Sequence, residues 1–98
     1  MKIKIEKNKI SDPEKFIRRA GYGRLAPRGG EVSYYQPLQS GMLYPRLHIY
    51  IEDLGDVWSF NLHLDQRQPS YKGVAAHSGE YEGEVVEKEV ERLKKLLA

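Results

Sequence analysis

Two short runs of alternating apolar and polar residues, separated by a turn, constrain this chain more than any other feature. The first run covers residues 43–51, the second covers residues 58–65, and Asp53-Leu54-Gly55-Asp56 lies between them. Side chains on a β-strand point alternately to opposite faces, so each run predicts a strand with one apolar row and one polar row. The sequence therefore predicts a β-hairpin.

Antiparallel pairing of these strands separates their side chains into two sets. In a register with Glu52 opposite Val57, one face is apolar and holds Leu47, Ile49, Ile51, Trp58, Phe60, Leu62 and Leu64. The other face, which we call the polar face, holds Arg46, His48, Tyr50, Ser59, Asn61, His63 and Asp65. A slip by one residue would mix the sets. A slip by two preserves them and moves His48 and His63 from diagonal to directly opposite positions, so two registers stay open.

Helices are predicted before and after the hairpin. Asp12-Pro13 has the residues of a helix start and Gly21 those of a helix stop, with a buried stripe formed by Phe16, Ile17 and Ala20. The last helix runs from Glu84 to Leu97, because apolar residues recur there at helical spacing. Its stripe consists of Val86, Val90, Leu93 and Leu97, widened by Val85 and Leu96.

The remaining patterns complete an α+β prediction. Residues 1–10 alternate and predict a short edge strand, and residues 31–36 predict a further strand. We therefore expect residues 1–98 to form a single two-layer domain with the order β-α-β-β-β-α. An antiparallel sheet of three to four strands would pack one face on both helices, and the polar face would remain open to solvent.

Composition narrows the classes of function. The chain has no cysteine, no run long enough to span a membrane and no apolar signal segment, so we expect a cytoplasmic protein without thiol chemistry. The net charge is only +2, but residues 1–30 hold nine Lys and Arg against three Asp and Glu. This basic front favours a polyanionic partner such as RNA.

The polar face carries the residue types of acid–base chemistry on a phosphodiester. Two histidines suit proton transfer at neutral pH, so we predict His48 as the base and His63 as the acid. Arg46 is the predicted phosphate ligand. Asn61 is placed to orient an imidazole and Tyr50 to stack on a base. Arg24, Arg28, Tyr34 and Tyr35 suggest a basic and aromatic lip nearby.

The polar stretch from Arg67 to Gly83 is predicted to close over this face. It leaves the hairpin directly after Asp65 and contains Tyr71 and His77, which we predict as substrate contacts together with Asp65. Closure allows two outcomes: a metal ion held by His63, Asp65 and His77, or a metal-free pocket ordered by hydrogen bonds. We favour the metal-free pocket and predict no cofactor, because the spacing matches no recognised ligand motif.

Ala20-Gly21-Tyr22, His48-Ile49-Tyr50 and Leu62-His63 together resemble the HicA-type toxins. The resemblance implies a double-stranded-RNA-binding-domain-like (dsRBD-like) fold, cleavage of mRNA with His48 as the catalytic histidine, and a protein antitoxin as partner. The chain departs from that family in having Arg46-Leu47 before His48, where the family has Gly-Ser. The run from His63 to Gln66, followed by residues 77–83, also resembles small prokaryotic proteins of no known activity.

The leading hypothesis is thus an RNA-directed domain that acts as a metal-independent endoribonuclease. Two alternatives remain: a non-catalytic module that binds RNA or protein through the same face, and a small metal-binding protein.

Overall fold

An antiparallel sheet with two helices on one face makes up this fold. The computed structural model describes residues 1–29, 31–66, 79–80 and 83–97. Its elements in chain order are β1 (Lys2–Glu6), α1 (Pro13–Arg19), β2 (Gly23–Arg28), β3 (Glu31–Pro37), β4 (Arg46–Asp53), β5 (Val57–Asp65), β6 (Gly79–Glu80) and α2 (Glu84–Leu97). The predicted α+β class, with an antiparallel sheet and two helices, is confirmed.

The sheet is larger than predicted. Five strands follow the order β1-β5-β4-β3-β2, and the two-residue strand β6 pairs with β5 beside β1. The sequence prediction of three to four strands is wrong because it missed β2 and β6. Gly23, Pro27 and a register shift between Leu25 and Arg28 interrupt the alternation of β2, which therefore lacks a recognisable strand pattern.

The β4–β5 hairpin forms in the second of the two registers left open. His48 lies directly opposite His63, and Arg46 lies opposite Asp65. Gly55 has a φ of +98°, and the Leu54 N–H donates to the Val57 carbonyl across 3.0 Å. The tight turn is thus centred on Gly55-Asp56. Glycine tolerates the positive φ that such a turn requires at its first central position, and this requirement sets the register.

The apolar face of the hairpin forms the core, as predicted. Phe60, Leu62 and Ile49 are fully buried there, and the ring of Phe16 from α1 packs against Phe60 at a centroid distance of 6.2 Å. From α2, the buried apolar residues are Val86, Val90 and Leu93. Both helices therefore cover one side of the sheet, which leaves the polar face on the other side.

Helix α2 has the predicted bounds but a narrower apolar stripe. Val85 and Leu96 are 38% and 51% exposed, so the expectation that they widen the buried stripe is wrong. Glu89 is buried instead, with 6% exposure. Its carboxylate accepts hydrogen bonds from the Tyr22 hydroxyl at 2.5 Å and from Arg92 Nε at 2.7 Å. These partners make burial of a charged residue tolerable on the core side of the helix.

Candidate functional site: a His-Asp-His cluster on the polar face

Cross-strand pairing brings the predicted site residues together in two adjacent rows. Arg46 and Asp65 form one row, and His48 and His63 form the next. Directly opposite side chains on an antiparallel pair have Cβ atoms only about 4.5–5.5 Å apart. Four polar residues from two strands therefore meet in one small area, which we call the histidine cluster.

The carboxylate of Asp65 contacts the other three residues of the cluster. Its Oδ2 lies 3.0 Å from Nδ1 of His48 and 3.3 Å from Nε of Arg46. Its Oδ1 lies 2.9 Å from Nε2 of His63. Burial raises the pKa of Asp65, but the hydrogen bonds from His48 and His63 outweigh it and hold that pKa well below its usual range. Asp65 is consequently an ionised acceptor at neutral pH.

The charge of Asp65 determines where each histidine carries its proton. A carboxylate can only accept hydrogen bonds, so His48 must carry a proton on Nδ1 and His63 must carry one on Nε2. In neutral His48 the lone pair is then on Nε2. That atom is buried and has no hydrogen-bond partner among the residues that the structure describes.

Aromatic rings surround the cluster. The Arg46 guanidinium lies 4.4 Å from the ring centroid of Tyr44 and 5.4 Å from that of Tyr35. The His48 ring lies 4.7 Å from Tyr50 and 4.8 Å from His63. The rings thus fix the orientations of the imidazoles and of the guanidinium.

The polar face is less open than the sequence predicted. His48 and His63 are each only 8% exposed, and Ser33 and Ser59 on the same face are also buried. The expectation of an open face was wrong at its centre, because tyrosine, arginine and histidine side chains pack on one another there. Any ligand of His48 Nε2 must therefore displace a neighbouring side chain.

The other predicted contacts have different outcomes. Asn61 lies opposite Tyr50, one row beyond the histidines, and its Oδ1 has no partner within the described part of the chain. Tyr71 and His77 fall outside the described residues, so their predicted contacts stay predictions. Gly79 pairs with Asp65, which brings the chain back beside the cluster.

The predicted basic and aromatic lip divides between the two faces. Tyr35 lies opposite His48 and faces the cluster. Tyr34 is buried on the other side, where its hydroxyl donates to Glu14 at 2.5 Å. Tyrosines adjacent in a strand must point to opposite faces, so only one of them can serve the site.

Two lysines and a tyrosine near the cluster were missed by the sequence interpretation. Strand β1 pairs with β5 so that Lys2 lies opposite Asn61 and Lys4 lies opposite Ser59, which places both lysines on the polar face. Their alternation with Ile3 and Ile5 was the available signal. Tyr44 was missed because it precedes β4, where the alternation no longer determines side-chain direction.

The cluster also has the composition of a metal site. His48, His63 and Asp65 each offer a ligand atom, and these three atoms lie within 4.8 Å of one another. The metal site predicted from the sequence consisted of His63, Asp65 and His77. The structure places His48 beside His63 and Asp65, and His77 lies outside the described residues.

None of the described helices combines the length and the apolar character needed to cross a bilayer. The resemblance to HicA-type toxins stays a prediction. Searches against protein families, curated proteins and solved structures found no match for this chain.

Proposed function

We propose that this protein binds RNA on its polar face and cleaves it by acid–base catalysis without a metal ion. The observation that carries the proposal is the orientation of His48. Its Nδ1 lies 3.0 Å from the Asp65 carboxylate, which assigns the proton to Nδ1 and leaves the Nε2 lone pair to take a substrate proton. A carboxylate that orients an imidazole in this way is the arrangement found behind histidine bases in hydrolytic triads.

The proposed reaction uses both histidines. His48 Nε2 removes the proton from a ribose 2′-hydroxyl, and the 2′-oxygen attacks the adjacent phosphorus. The bond from phosphorus to the 5′-oxygen breaks, and His63 in its imidazolium form protonates that leaving oxygen. The products are a 2′,3′-cyclic phosphate and a 5′-hydroxyl. Asp65 stabilises a charged form of either ring, because its carboxylate contacts both.

Cationic side chains supply the affinity for phosphate in this proposal. Arg46 is the ligand of the scissile phosphate, and its guanidinium is held in place by Tyr44 and by Asp65. Lys2 and Lys4, both exposed on the polar face, extend positive charge along the path of the RNA backbone. Phosphate contacts of this kind position a nucleic acid without reading its sequence.

Neighbouring groups are suited to the bases of the RNA. Tyr50 lies beside both histidines and is half-buried, so its ring is the one we assign to move outward and stack on a base. This movement would also uncover His48 Nε2. Asn61 Oδ1 is an acceptor for a base or ribose donor, and Tyr71 and His77 remain proposed contacts from the following loop.

A second candidate function is RNA binding without cleavage. The observation that favours it is the 8% exposure of each histidine, since buried imidazoles can stabilise a rigid binding surface without taking part in catalysis. The resemblance to HicA-type toxins supports the catalytic candidate. A dsRBD-like arrangement, a cognate antitoxin and a cytoplasmic location belong to that same proposal.

Incubation of end-labelled single-stranded RNA with the protein in excess chelator tests the proposal. We expect cleavage with 2′,3′-cyclic phosphate ends by the wild type, a loss of at least 100-fold in His48→Ala, and no cleavage of an all-2′-deoxy substrate. Lys94→Ala, an exposed change on α2, is the control and should cleave like the wild type. Circular dichroism verifies that His48→Ala is folded.

The possible results separate the two candidates. Binding of equal strength by the wild type and His48→Ala, with no cleavage by either, would support the non-catalytic module. Absence of any RNA binding at low salt would reject both.

A further inference from the structure

The histidine cluster contains a donor set for a transition-metal ion. The facing atoms are two imidazole nitrogens and one carboxylate, and a ligand atom from each residue lies within 4.8 Å of the other two. Zinc binds such ligands at about 2.0–2.2 Å, so two ligands of one ion are separated by roughly 3–3.5 Å. The distance from Asp65 Oδ2 to His48 Nδ1 is 3.0 Å, and the distance from Asp65 Oδ1 to His63 Nε2 is 2.9 Å. Each oxygen of the carboxylate therefore lies close to that separation from one imidazole nitrogen.

The surroundings of the three residues also suit a metal ion. Two of the three donors are buried imidazoles carried on adjacent strands of a sheet, so little ordering of side chains is needed for binding. Arg46 contacts Asp65 Oδ2, as an outer partner of a ligating carboxylate does. Its positive charge opposes that of the ion and should keep the affinity moderate. The ionised carboxylate offsets part of this repulsion.

We propose that His48, His63 and Asp65 bind a zinc-type divalent ion, and that this ion switches off the base of the proposed ribonuclease. The switch rests on the proposed function, whereas the metal site does not. A metal ion needs the lone pair of the nitrogen that faces Asp65, so the single proton of neutral His48 must then be on Nε2. That nitrogen would become a donor and could no longer remove the ribose proton.

Thermal unfolding with increasing zinc chloride tests the metal site directly. A ligand of the native state raises stability by mass action, so we expect the melting temperature of the wild type to rise by several degrees at saturating zinc. His63→Ala and Asp65→Ala should lose this rise. His77→Ala is the matched control. It removes the remaining histidine of the chain, which is not one of the three proposed ligands, so this variant should keep the rise in melting temperature.

A second measurement needs no variant at the site. Long-range proton–nitrogen NMR spectra distinguish the three imidazoles of the wild type and report which ring nitrogens are protonated. Zinc should perturb His48 and His63 and leave His77 unchanged. No rise in melting temperature up to millimolar zinc, or a perturbation of His77 with His48 unaffected, overturns the site.

Cleavage assays test the switch separately. Zinc at the concentration that saturates the melting shift should stop RNA cleavage, and chelator should restore it. Cleavage that continues under saturating zinc overturns the switch. Failure of the proposed function would look different, because a protein that never cleaves RNA in chelator would still show the melting shift.

Discussion

Two carboxylates of this fold, the half-buried Asp65 on the polar face and the buried Glu89 on the core side of α2, have different kinds of partner. Glu89 accepts from the Tyr22 hydroxyl and from Arg92. Arg92 continues the network by donating to the Ala20 carbonyl at 2.8 Å and to Gln36 at 3.1 Å. Burial and then the hydrogen bond to Glu89 raise the pKa of Tyr22, so these partners keep fixed protonation states near neutral pH.

Asp65 is bound instead by the imidazole rings of two histidines and by the guanidinium of Arg46. The second nitrogen of the His48 ring, Nε2, is buried and has no hydrogen-bond partner among the described residues. The Glu89 network connects α2 to the end of α1 and to β3, whereas the Asp65 network leaves one imidazole nitrogen unused, as the proposed proton transfer requires. The comparison teaches that a carboxylate wholly or partly removed from solvent must be judged by its partners and by the polar atoms that those partners leave without a hydrogen bond.

The largest effect should come from Asp65→Asn. An amide in place of the carboxylate can donate to His48 Nδ1, which would move the imidazole proton to Nε2 and remove the base. We expect RNA cleavage to fall by about 10²–10⁴-fold with a smaller loss of stability. Single-turnover cleavage in chelator measures the effect, with Lys94→Ala as the control. Cleavage within threefold of the wild type would contradict the assigned role of Asp65.

Glu89→Ala should affect stability and leave the chemistry intact. The change leaves the Tyr22 hydroxyl buried without its acceptor and removes the ion pair of Arg92. Because Arg92 is partly exposed, we expect a loss of about 2–3 kcal/mol in the free energy of unfolding rather than the full cost of an isolated buried charge. Urea denaturation provides the measurement.

Glu91→Ala is the matched control for that prediction. Glu91 is exposed on the same helix, so its change should lie within about 0.5 kcal/mol of the wild type. Equal losses for the two glutamates would show that the network around Glu89 does not stabilise the fold.

The smallest effect should be a pH-dependent loss of stability that comes from Tyr34, whose hydroxyl donates to the Glu14 carboxylate. Burial and then the hydrogen bond to Glu14 raise the pKa of Tyr34 to about 12. An unfolded tyrosine ionises near 10, so its contribution to stability is complete below pH 10 and is lost as the pH rises through 12. Between pH 9 and pH 11 the wild type should lose about 1 kcal/mol more than Tyr34→Phe. Parallel urea titrations at the two pH values test this, and identical losses would refute it.

Sequence periodicity predicted the parts of the fold that depend on local pattern. The α2 bounds and the two faces of the hairpin followed from spacing alone. The register did not, because it depends on which residue of the turn takes the positive φ, and Gly55 decides it. Strand β2 lacks alternation and depends on pairing with β3.

The candidate site was predictable in membership but not in geometry. The alternation of apolar and polar residues predicted that Arg46, His48, His63 and Asp65 share one face, and the pairing of β4 with β5 confirms this. The geometry also involves Tyr35 and Tyr44, which contact Arg46 from β3 and from the residues before β4. The Tyr22–Glu89 contact joins residues 67 positions apart in the chain, a separation that no local pattern encodes.

The histidine cluster lies on two central strands of the sheet, so it can assemble only when the sheet is complete. Both strands that carry it have a neighbour on each side: β4 lies between β3 and β5, and β5 lies between β4 and β1. Amides in such central strands usually exchange with solvent only through global unfolding. Hydrogen–deuterium exchange at His48 and His63 should therefore be as slow as anywhere in the chain. A nascent or partly opened chain would have no assembled cluster, so the proposed nuclease would be inert until its folding is finished.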